Sequence, residues 1–567
     1  MNGRPASRWA LAILLLTAAI GPAGTVPPHD LVARGKQGAV ATAEPHATEV
    51  GLRVLQEGGN AVDAAVAVAL TLAVTHPQAG NLGGGGFLLI RMADGKTTAL
   101  DFREKAPAAA SRDMFLKADG TVDDDKAQFG AAAAGVPGSP AGLLRALALF
   151  GSKPLAALAA PAIRLAKDGI PVDQFLAADL HGHRRVLGRF PSTKAIFFRG
   201  DTTLQQGDLL VQPDLAKTLE RLVADGAAGF YGGETARLIA AQMQKDGGLI
   251  TAADLAAYAA AERQPVVGTY RGLEIVGMPP PSSGGIALQQ MLNLLEPYDV
   301  RGLGFGSSAH LHLLTEVMRR AFADRARWLG DPDFYQVPVA GLISRDYAAT
   351  LRAGIRTDKK SEVVAGVPPG AKESDDTTHF SIVDAAGNAV ACTTTINATF
   401  GSGLVVEGAG FLLNDEMDDF SAKPGAPNMF GLVGGAANAI APGKRMLSSM
   451  TPTIVVQDGK VRCVLGAPGG SRIITGVLQV LLNVVDFGMG IELAVRAPRV
   501  HHQWKPEHLS YEPLALSTDV RAALAAMGHT FAREPMWIAR VHAIEVRPDG
   551  ERVAAADPRG GGSAAAY

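Results

Sequence analysis

The run Asp375-Asp376-Thr377-Thr378-His379 sets two acids, two hydroxyls and an imidazole side by side, after a polar stretch and at the head of an alternating apolar run. A threonine opening a strand is ordinary, since β-branched residues fit a pleated surface. Thr377 also has a sharper chemistry open to it. Its hydroxyl can attack the Asp376–Thr377 peptide carbonyl, pass through an ester, and leave Thr377 with a free α-amine. Such an amine titrates near neutrality, so it can take the proton of its own hydroxyl as general base. Thr377 would then be nucleophile and base together. His379 is the rival base, because period-two alternation puts it on the same strand face.

A site of this kind needs donors for an oxyanion and groups that hold an acyl chain. Pro468-Gly-Gly-Ser-Arg472 lies between a strand-like run and a helical one, so its backbone N–H groups can converge on an anion. A plain strand-to-helix turn has the same composition. Ser448-Ser449 precede Thr453 in a loop, and Asn397, Glu416 and Asp419 stand beside apolar runs. Binding roles and solvated loops both fit these five. Gly83–Gly86 lacks the Lys and Ser/Thr of a phosphate loop and reads as a tight turn. His501 and His502 are adjacent, and strand neighbours face opposite ways, so neither a metal site nor a cofactor is expected.

The elements that must position these groups follow from periodicity. Ala47–Gln56 reads as a helix closed by Gly58-Gly59, and Asn60 can cap a second, Ala61–Thr75. That second helix is apolar nearly all round but too short to span a membrane. Strands are expected at Phe87–Met92 and Thr97–Phe102, about a turn at Gly95. From Pro140 to Ala353 the pattern is mostly helical, with amphipathic stretches at Pro213–Asp225 and Ala309–Leu329. Within it, strand-like Leu273–Gly277 runs into Met278-Pro-Pro-Pro-Ser-Ser-Gly-Gly285, where prolines extend the backbone and glycines allow close approach. Arg356–Asp376 reads as an exposed linker. Beyond it, strands are expected at Thr377–Val383 and Ala389–Thr395, with strand-like runs at Leu404–Glu407, Gly410–Leu413, Thr453–Val456 and Arg462–Leu465, and a helix at Ile473–Val485. A helix-rich first part thus meets a strand-led second part at Thr377.

Composition narrows the class of function. The 567 residues are 47% hydrophobic and 19% charged, as in globular chains with a large core. A net charge of −2 without a long basic run speaks against nucleic acid and against a polybasic membrane patch, so a small-molecule substrate is expected. Residues 1–24 read as a signal peptide: Arg4 and Arg8, an apolar run from Trp9 to Ile20, then small residues. That run is too short for a stable membrane anchor, which implies a periplasmic or secreted protein. Cys392 and Cys463 lie in apolar strand-like runs, as buried thiols or as a disulfide between neighbouring strands. Neither has a His at a motif spacing, so a thiol nucleophile is not expected.

Seven motifs occur together: Thr-His-Pro-Gln-Ala-Gly-Asn-Leu-Gly-Gly-Gly-Gly (75–86), Asp-Phe-Arg-Glu (101–104), Pro-Pro-Pro-Ser-Ser-Gly-Gly (279–285), Thr-Thr-His (377–379), Asn-Asp-Glu-Met-Asp-Asp-Phe (414–420), Leu-Ser-Ser-Met-Thr-Pro (447–452) and Pro-Gly-Gly-Ser-Arg (468–472). In this order and spacing the chain resembles the γ-glutamyltransferase (glutathione hydrolase) family over nearly its whole mature length. The resemblance implies an α/β (α+β) N-terminal nucleophile hydrolase, a four-layer αββα sandwich of two autocleaved, intertwined subunits, here residues 25–376 and 377–567. It implies Thr377 as nucleophile and new N-terminus, Thr395 hydrogen-bonded near it, and Gly469 and Gly470 as the oxyanion hole. Arg103, Ser448 and Ser449 would bind the α-carboxylate of a γ-glutamyl group, and Asn397, Glu416 and Asp419 its α-ammonium. The implied activity moves that group from glutathione or related compounds to water or an amino acid or peptide acceptor, without cofactor or metal. Pro424–Gly435 matches a lid loop, with Phe430 where related lids carry Tyr, which removes one latch to Asn397. Two other readings remain. A cephalosporin acylase would take a glutaryl group, which lacks the α-ammonium that Glu416 and Asp419 suit. A non-catalytic binding protein would not need the intact Thr377, Thr395 and Gly469-Gly470 set.

Overall fold

The computed structural model describes residues 30–363 and 377–567, apart from residues 424, 426, 427, 430 and 433. The expected signal peptide, the end of the linker with the Asp376–Thr377 bond, and Phe430 lie outside the described residues.

Two seven-stranded antiparallel sheets lie face to face. The first runs, in spatial order, Ser563–Ala566, Ala39–Thr42, Thr378–Val383, Ala389–Thr395, Gly85–Arg91, Thr97–Asp101 and Ala261–Arg263. The second runs Val32–Gly35, Arg552–Ala555, His542–Val546, Lys460–Gly466, Thr453–Gln457, Leu273–Gly277 and Val266–Tyr270. Strands from both sides of Thr377 are interleaved in each sheet.

Alternation along the strands builds the layers. In Thr378–Val383, Phe380 and Ile382 pack on the helices Pro45–Gln56 and Ala61–Thr75, while Val383 joins the core between the sheets. Phe87 and Leu89 face that inner core, and Leu88 and Ile90 the helices. Both faces are covered, so both are apolar. The helices Gly284–Leu295, Ser308–Trp328 and Arg472–Val485 close the far face of the second sheet. The result is the expected αββα order.

Most expected elements are present within a residue or two. Ala61–Thr75 is buried along its whole length, and Asn60 and Asp63 form a reciprocal capping box. One expectation fails and one is incomplete. Leu404–Glu407 and Gly410–Leu413 share only one bridge, Val405 to Leu412, because Gly408 and Gly410 take left-handed turns, and Gly410 lies so close to Leu215 that a Cβ there would clash with its backbone nitrogen. The region from Pro140 to Ala353 also holds more strand than expected, at Ala261–Arg263 and Val266–Tyr270.

Glycine at 285 is set by close approach: a Cβ there would press on Met278 O and sit 2.9 Å from the Gly277 carbonyl carbon. Gly285→Ala is expected to lower the unfolding free energy by about 1–3 kcal/mol, as overpacking against backbone does. Gly341→Ala meets nothing within 4 Å and should stay within about 1 kcal/mol of the parent. Urea unfolding midpoints compare them. Equal midpoints for both would refute the packing argument.

Candidate active site

The strand Thr378–Val383 is held on both sides, by Ala39–Thr42 and by Ala389–Thr395 with Thr378 opposite Thr394. Thr377 stands at its head, buried, where the gap between the sheets opens. Nine of the ten residues singled out above line one cleft there: Arg103, Thr377, Thr395, Asn397, Glu416, Asp419, Ser448, Ser449 and Gly470. The tenth, Gly469, is the next residue along. A roomier cavity elsewhere is lined by Glu44, His76, Asp179, Arg540 and the Gly560-Gly561 pair, but it holds no hydroxyl at a strand head, so volume alone does not select the site.

The motifs act as fasteners for this cleft. Asn81 Nδ2 donates to Thr395 O at 2.9 Å, and Asn81 Oδ1 accepts from Gly84 N at 3.0 Å. A Cβ on Gly83, Gly84 or Gly85 would press on the carbonyls of Leu412, Thr395 and Phe102, so the glycine run lets three segments meet. Asn414 Nδ2 donates to Gly83 O and Gly135 O, each at 2.8 Å, and its Oδ1 accepts from Glu416 N at 3.0 Å, which sets the short turn Glu416–Asp419. The Pro-Pro-Pro-Ser-Ser motif grips the serine loop: Ser283 N donates to Ser448 O at 2.7 Å, Ser448 N to Pro281 O at 2.9 Å, and Ser282 Oγ to Met450 O at 2.7 Å.

Each lining group has a defined hydrogen-bond character. Gly469 and Gly470 have φ of +134° and +54°, and among the described residues neither N–H has an acceptor. They precede the helix Arg472–Val485, so amide donors and the positive helix end point the same way. Ser448 Oγ accepts from Met450 N at 3.1 Å, and Ser449 Oγ accepts from Arg325 Nη2 at 3.0 Å, so both hydroxyl protons remain for the cleft. Asn397 Nδ2 is engaged by Asp415 O at 3.1 Å and by Met429 Sδ at 3.4 Å, which leaves Oδ1 as its acceptor. Thr395 Oγ1 accepts from Asn397 N at 2.7 Å.

Arg103 is almost wholly buried between carboxylates. Its guanidinium contacts Glu416 Oε2 at 2.5 Å, Glu104 Oε2 at 3.4 Å and also Asp419. Burial opposes the Arg103 charge, but Glu416, Asp419 and Glu104 outweigh it and raise its affinity for the proton. The carboxyls answer differently. Burial lifts Glu416 well above the usual carboxylate range, raises Asp419, and brings Glu104 and Asp418 each to about 7. The Glu416–Arg103 contact is one of charge only: neither Glu416 oxygen receives a well-directed donor. A cleft with two such oxygens and the Asn397 Oδ1 is made for an added cationic donor.

His379 shares the inner face with Thr377, as alternation required, yet it does not line the cleft. Its ring meets Thr393 Oγ1 at 2.9 Å and Ser381 Oγ at 3.0 Å, and burial, with His542 nearby, pushes it well below its ordinary value. That ring is a strut. Cys392 and Cys463 are free, buried and in different sheets, with burial pushing Cys463 up to about 12. His501 meets Thr475 and Gln503, and among the described residues no group of His, Cys, Asp and Glu could hold a metal ion.

Three contributors were not among the candidate site residues, although two of them, Asn428 and Met429, fall in the Pro424–Gly435 loop. Arg325 comes from a helix that reads as amphipathic. Asn428 Nδ2 reaches Asp419 Oδ1 at 3.0 Å, and Met429 N reaches Asp418 Oδ2 at 2.9 Å. With the Met429 sulfur on Asn397, Asn428 and Met429 tie their loop to the cleft.

A family profile described as gamma-glutamyltranspeptidase matches residues 47–567. The chain is 51% identical to the glutathione hydrolase proenzyme of Escherichia coli (strain K12) over 531 residues, which is 93% of this chain and 91% of that one. It is 40% identical to the acylase ACY 1 proenzyme of Pseudomonas sp. (strain V22), over 94% of each. Among solved structures, a cephalosporin acylase from Bacillus halodurans superposes with a TM-score of 0.85 at 28% identity, covering 97% of this chain and 99% of that one.

The raised carboxyls imply a pH dependence of known sign. A bound ammonium favours their charged forms, so binding releases protons and weakens as pH falls. With Glu416 and Asp419 both raised, the affinity for L-glutamate should fall as the pH is lowered and these carboxyls take up protons. Calorimetry in buffers of different ionisation heat reads both effects. A pH-independent affinity without proton release would count against the ammonium subsite.

Proposed function

The chain belongs to the gamma-glutamyltranspeptidase family, and from that premise we propose that Thr377 is its acyl-accepting nucleophile, freed as an amino terminus by scission of the Asp376–Thr377 bond. The protein is an enzyme that moves the γ-glutamyl group of glutathione and related compounds through an acyl-enzyme. The observation that carries the residue assignment is the meeting, in one cleft, of Thr377, the Gly469-Gly470 amides and the donorless oxygens of Glu416.

The proposed sequence of steps uses these groups in turn. Thr377 Oγ1 attacks the γ-carbonyl while its α-amine takes the hydroxyl proton. The carbonyl oxygen gains negative charge and receives the Gly469 and Gly470 N–H groups. The tetrahedral adduct collapses, the C–N bond breaks, and the departing amine takes the proton from the Thr377 ammonium. Water or an acceptor amine then attacks the ester and restores Thr377. Through these steps the acyl head is held by unlike partners. Glu416, Asp419 and Asn397 Oδ1 take its ammonium, and the Ser448 and Ser449 hydroxyls with Arg103 take its carboxylate.

We assign residues 25–376 and 377–567 to the two pieces of the processed protein, and residues 1–24 to an export signal that delivers it to the periplasm or beyond. Interleaved strands in both sheets support a pair that stays together after the cut. The relatives named as acylases share the fold, so the fold does not choose between glutaryl and γ-glutamyl groups. Charge does: a glutaryl head brings no ammonium to the Glu416 oxygens, which have Arg103 beside them but no directed donor, and so forgoes a charge-assisted hydrogen bond of about 1.5–3 kcal/mol.

Thr377→Ala should run as one uncut chain on a denaturing gel and show no turnover, whereas the parent shows two bands. A Thr377→Ala protein that still splits at this bond would remove the intramolecular mechanism. Activity should rise with pH near the α-amine's ordinary range, about 7.7–8.0, and this limb should persist in His379→Gln. Its disappearance from a cleaved, folded His379→Gln protein would return His379 to the role of base.

A further inference from the structure

Arg325 is the second buried guanidinium at the cleft, and it differs from Arg103 in its company. Arg103 sits among three carboxylates, whereas among the described residues no carboxylate oxygen lies within ion-pair distance of Arg325. Its Nε donates to Ser283 Oγ at 2.9 Å and its Nη2 to Ser449 Oγ at 3.0 Å, and it is 4% exposed. Burial lowers its proton affinity to about 10, opposed by Asp419 and aided by Arg103, so it is still a cation near neutrality. A buried cation held only by hydroxyls is costly unless an anion comes to it.

The direction of its hydrogen bonds says where that anion goes. A guanidinium is a donor only, so Ser449 Oγ must accept, and the Ser449 proton must point elsewhere. The same Ser283 that accepts from Arg325 donates to Ser448 O at 2.6 Å, which ties Arg325 to the backbone of the serine pair. We propose that Arg325 is a positioning residue for the acyl head: it locks Ser449 Oγ as a donor into the cleft and supplies, through that hydroxyl, the positive charge that an α-carboxylate needs. Arg103 cannot supply that charge alone, because Glu416, Asp419 and Glu104 already offset it. The proposal rests on the γ-glutamyl reading of the cleft and adds the group that makes its carboxylate end selective.

The test compares p-nitroanilides of γ-glutamate, of glutarate and of 4-aminobutyrate, which is a γ-glutamyl group without its α-carboxylate. The parent enzyme should prefer the γ-glutamyl compound to both others; if it does not, the γ-glutamyl reading itself falls. Given that preference, Arg325→Met should raise KM for the γ-glutamyl compound by roughly tenfold or more, the scale of a lost hydrogen bond to a charged group, with turnover of the 4-aminobutyryl compound little changed. Arg325→Lys, which keeps the charge, should recover part of the loss. Combined with Ser449→Ala, Arg325→Met should add little, because both act through one hydroxyl. Self-cleavage on a gel reports folding, and if the Met variant is not cleaved, the Lys variant and Ser283→Ala carry the same ratio. An equal loss on γ-glutamyl and 4-aminobutyryl compounds, or full additivity with Ser449→Ala, overturns the proposal.

Discussion

The pairing of Thr378–Val383 between Ala39–Thr42 and Ala389–Thr395 is the constraint on which the rest of the site depends. In the proposed mechanism Thr377 is both nucleophile and chain terminus, so it has to be placed without help from the residues before it. Antiparallel ladders on both sides do this from the C-terminal direction alone. They fix the register of Thr378 against Thr394, and so the distance of Thr377 from the Thr395–Asn397 turn. The apolar contacts of Phe380 and Ile382 with the buried helix Ala61–Thr75 then hold the strand against slippage, since a one-residue shift would turn His379 and Ser381 into that helix layer.

The same geometry explains why so many charges sit inside the protein. The cleft lies at the end of the gap between two sheets, so any group that reaches a ligand there is itself largely dry. Isolated, such charges would cost several kcal/mol each. The structure offsets this by pairing Arg103 with Glu416 and Asp419, and by capping carboxylates with backbone donors such as Met429 N on Asp418. The compensation is incomplete at two places, the Glu416 oxygens and Arg325. Glu416 has the Arg103 charge beside it but no directed donor, and Arg325 has no carboxylate within ion-pair distance among the described residues. In the proposed reading a zwitterionic head meets both, its ammonium at Glu416 and its carboxylate at the hydroxyl that Arg325 orients.

Glycine and serine motifs far from Thr377 in the chain are read best as fasteners for this imbalance. The glycine run at 83–85 brings the backbones of Leu412, Thr395 and Phe102 to one point, and Phe102 adjoins Arg103. The Pro281–Ser283 corner carries the serine pair, and through Ser283 it also carries Arg325. Asn428 and Met429 reach Asp419 and Asn397 directly and fasten their loop to the same cleft.

Much of this was legible in the chain alone. Local patterns are dictated by local physics: the all-round apolar Ala61–Thr75, the Asn60 cap, the strand pair about Asp384–Asn388, and the two glycines ahead of a helix all appear where periodicity and turn chemistry put them. Motif types and order also sufficed to group nine cleft residues before any coordinates. What the chain could not show is whatever depends on which surfaces meet. Strands such as Ala39–Thr42 and Ser563–Ala566 are largely alanine, and they are strands only because neighbours complete their ladders. Alternation placed His379 beside Thr377 but could not say that Thr393 and Ser381 would occupy its ring. Arg325 reads as one more charge on an amphipathic helix until the packing of that helix on the Pro281–Ser283 corner buries it beside Ser449. Propensity and pattern act along the chain, whereas a charge's worth is set by its surroundings, and only the tertiary structure supplies those.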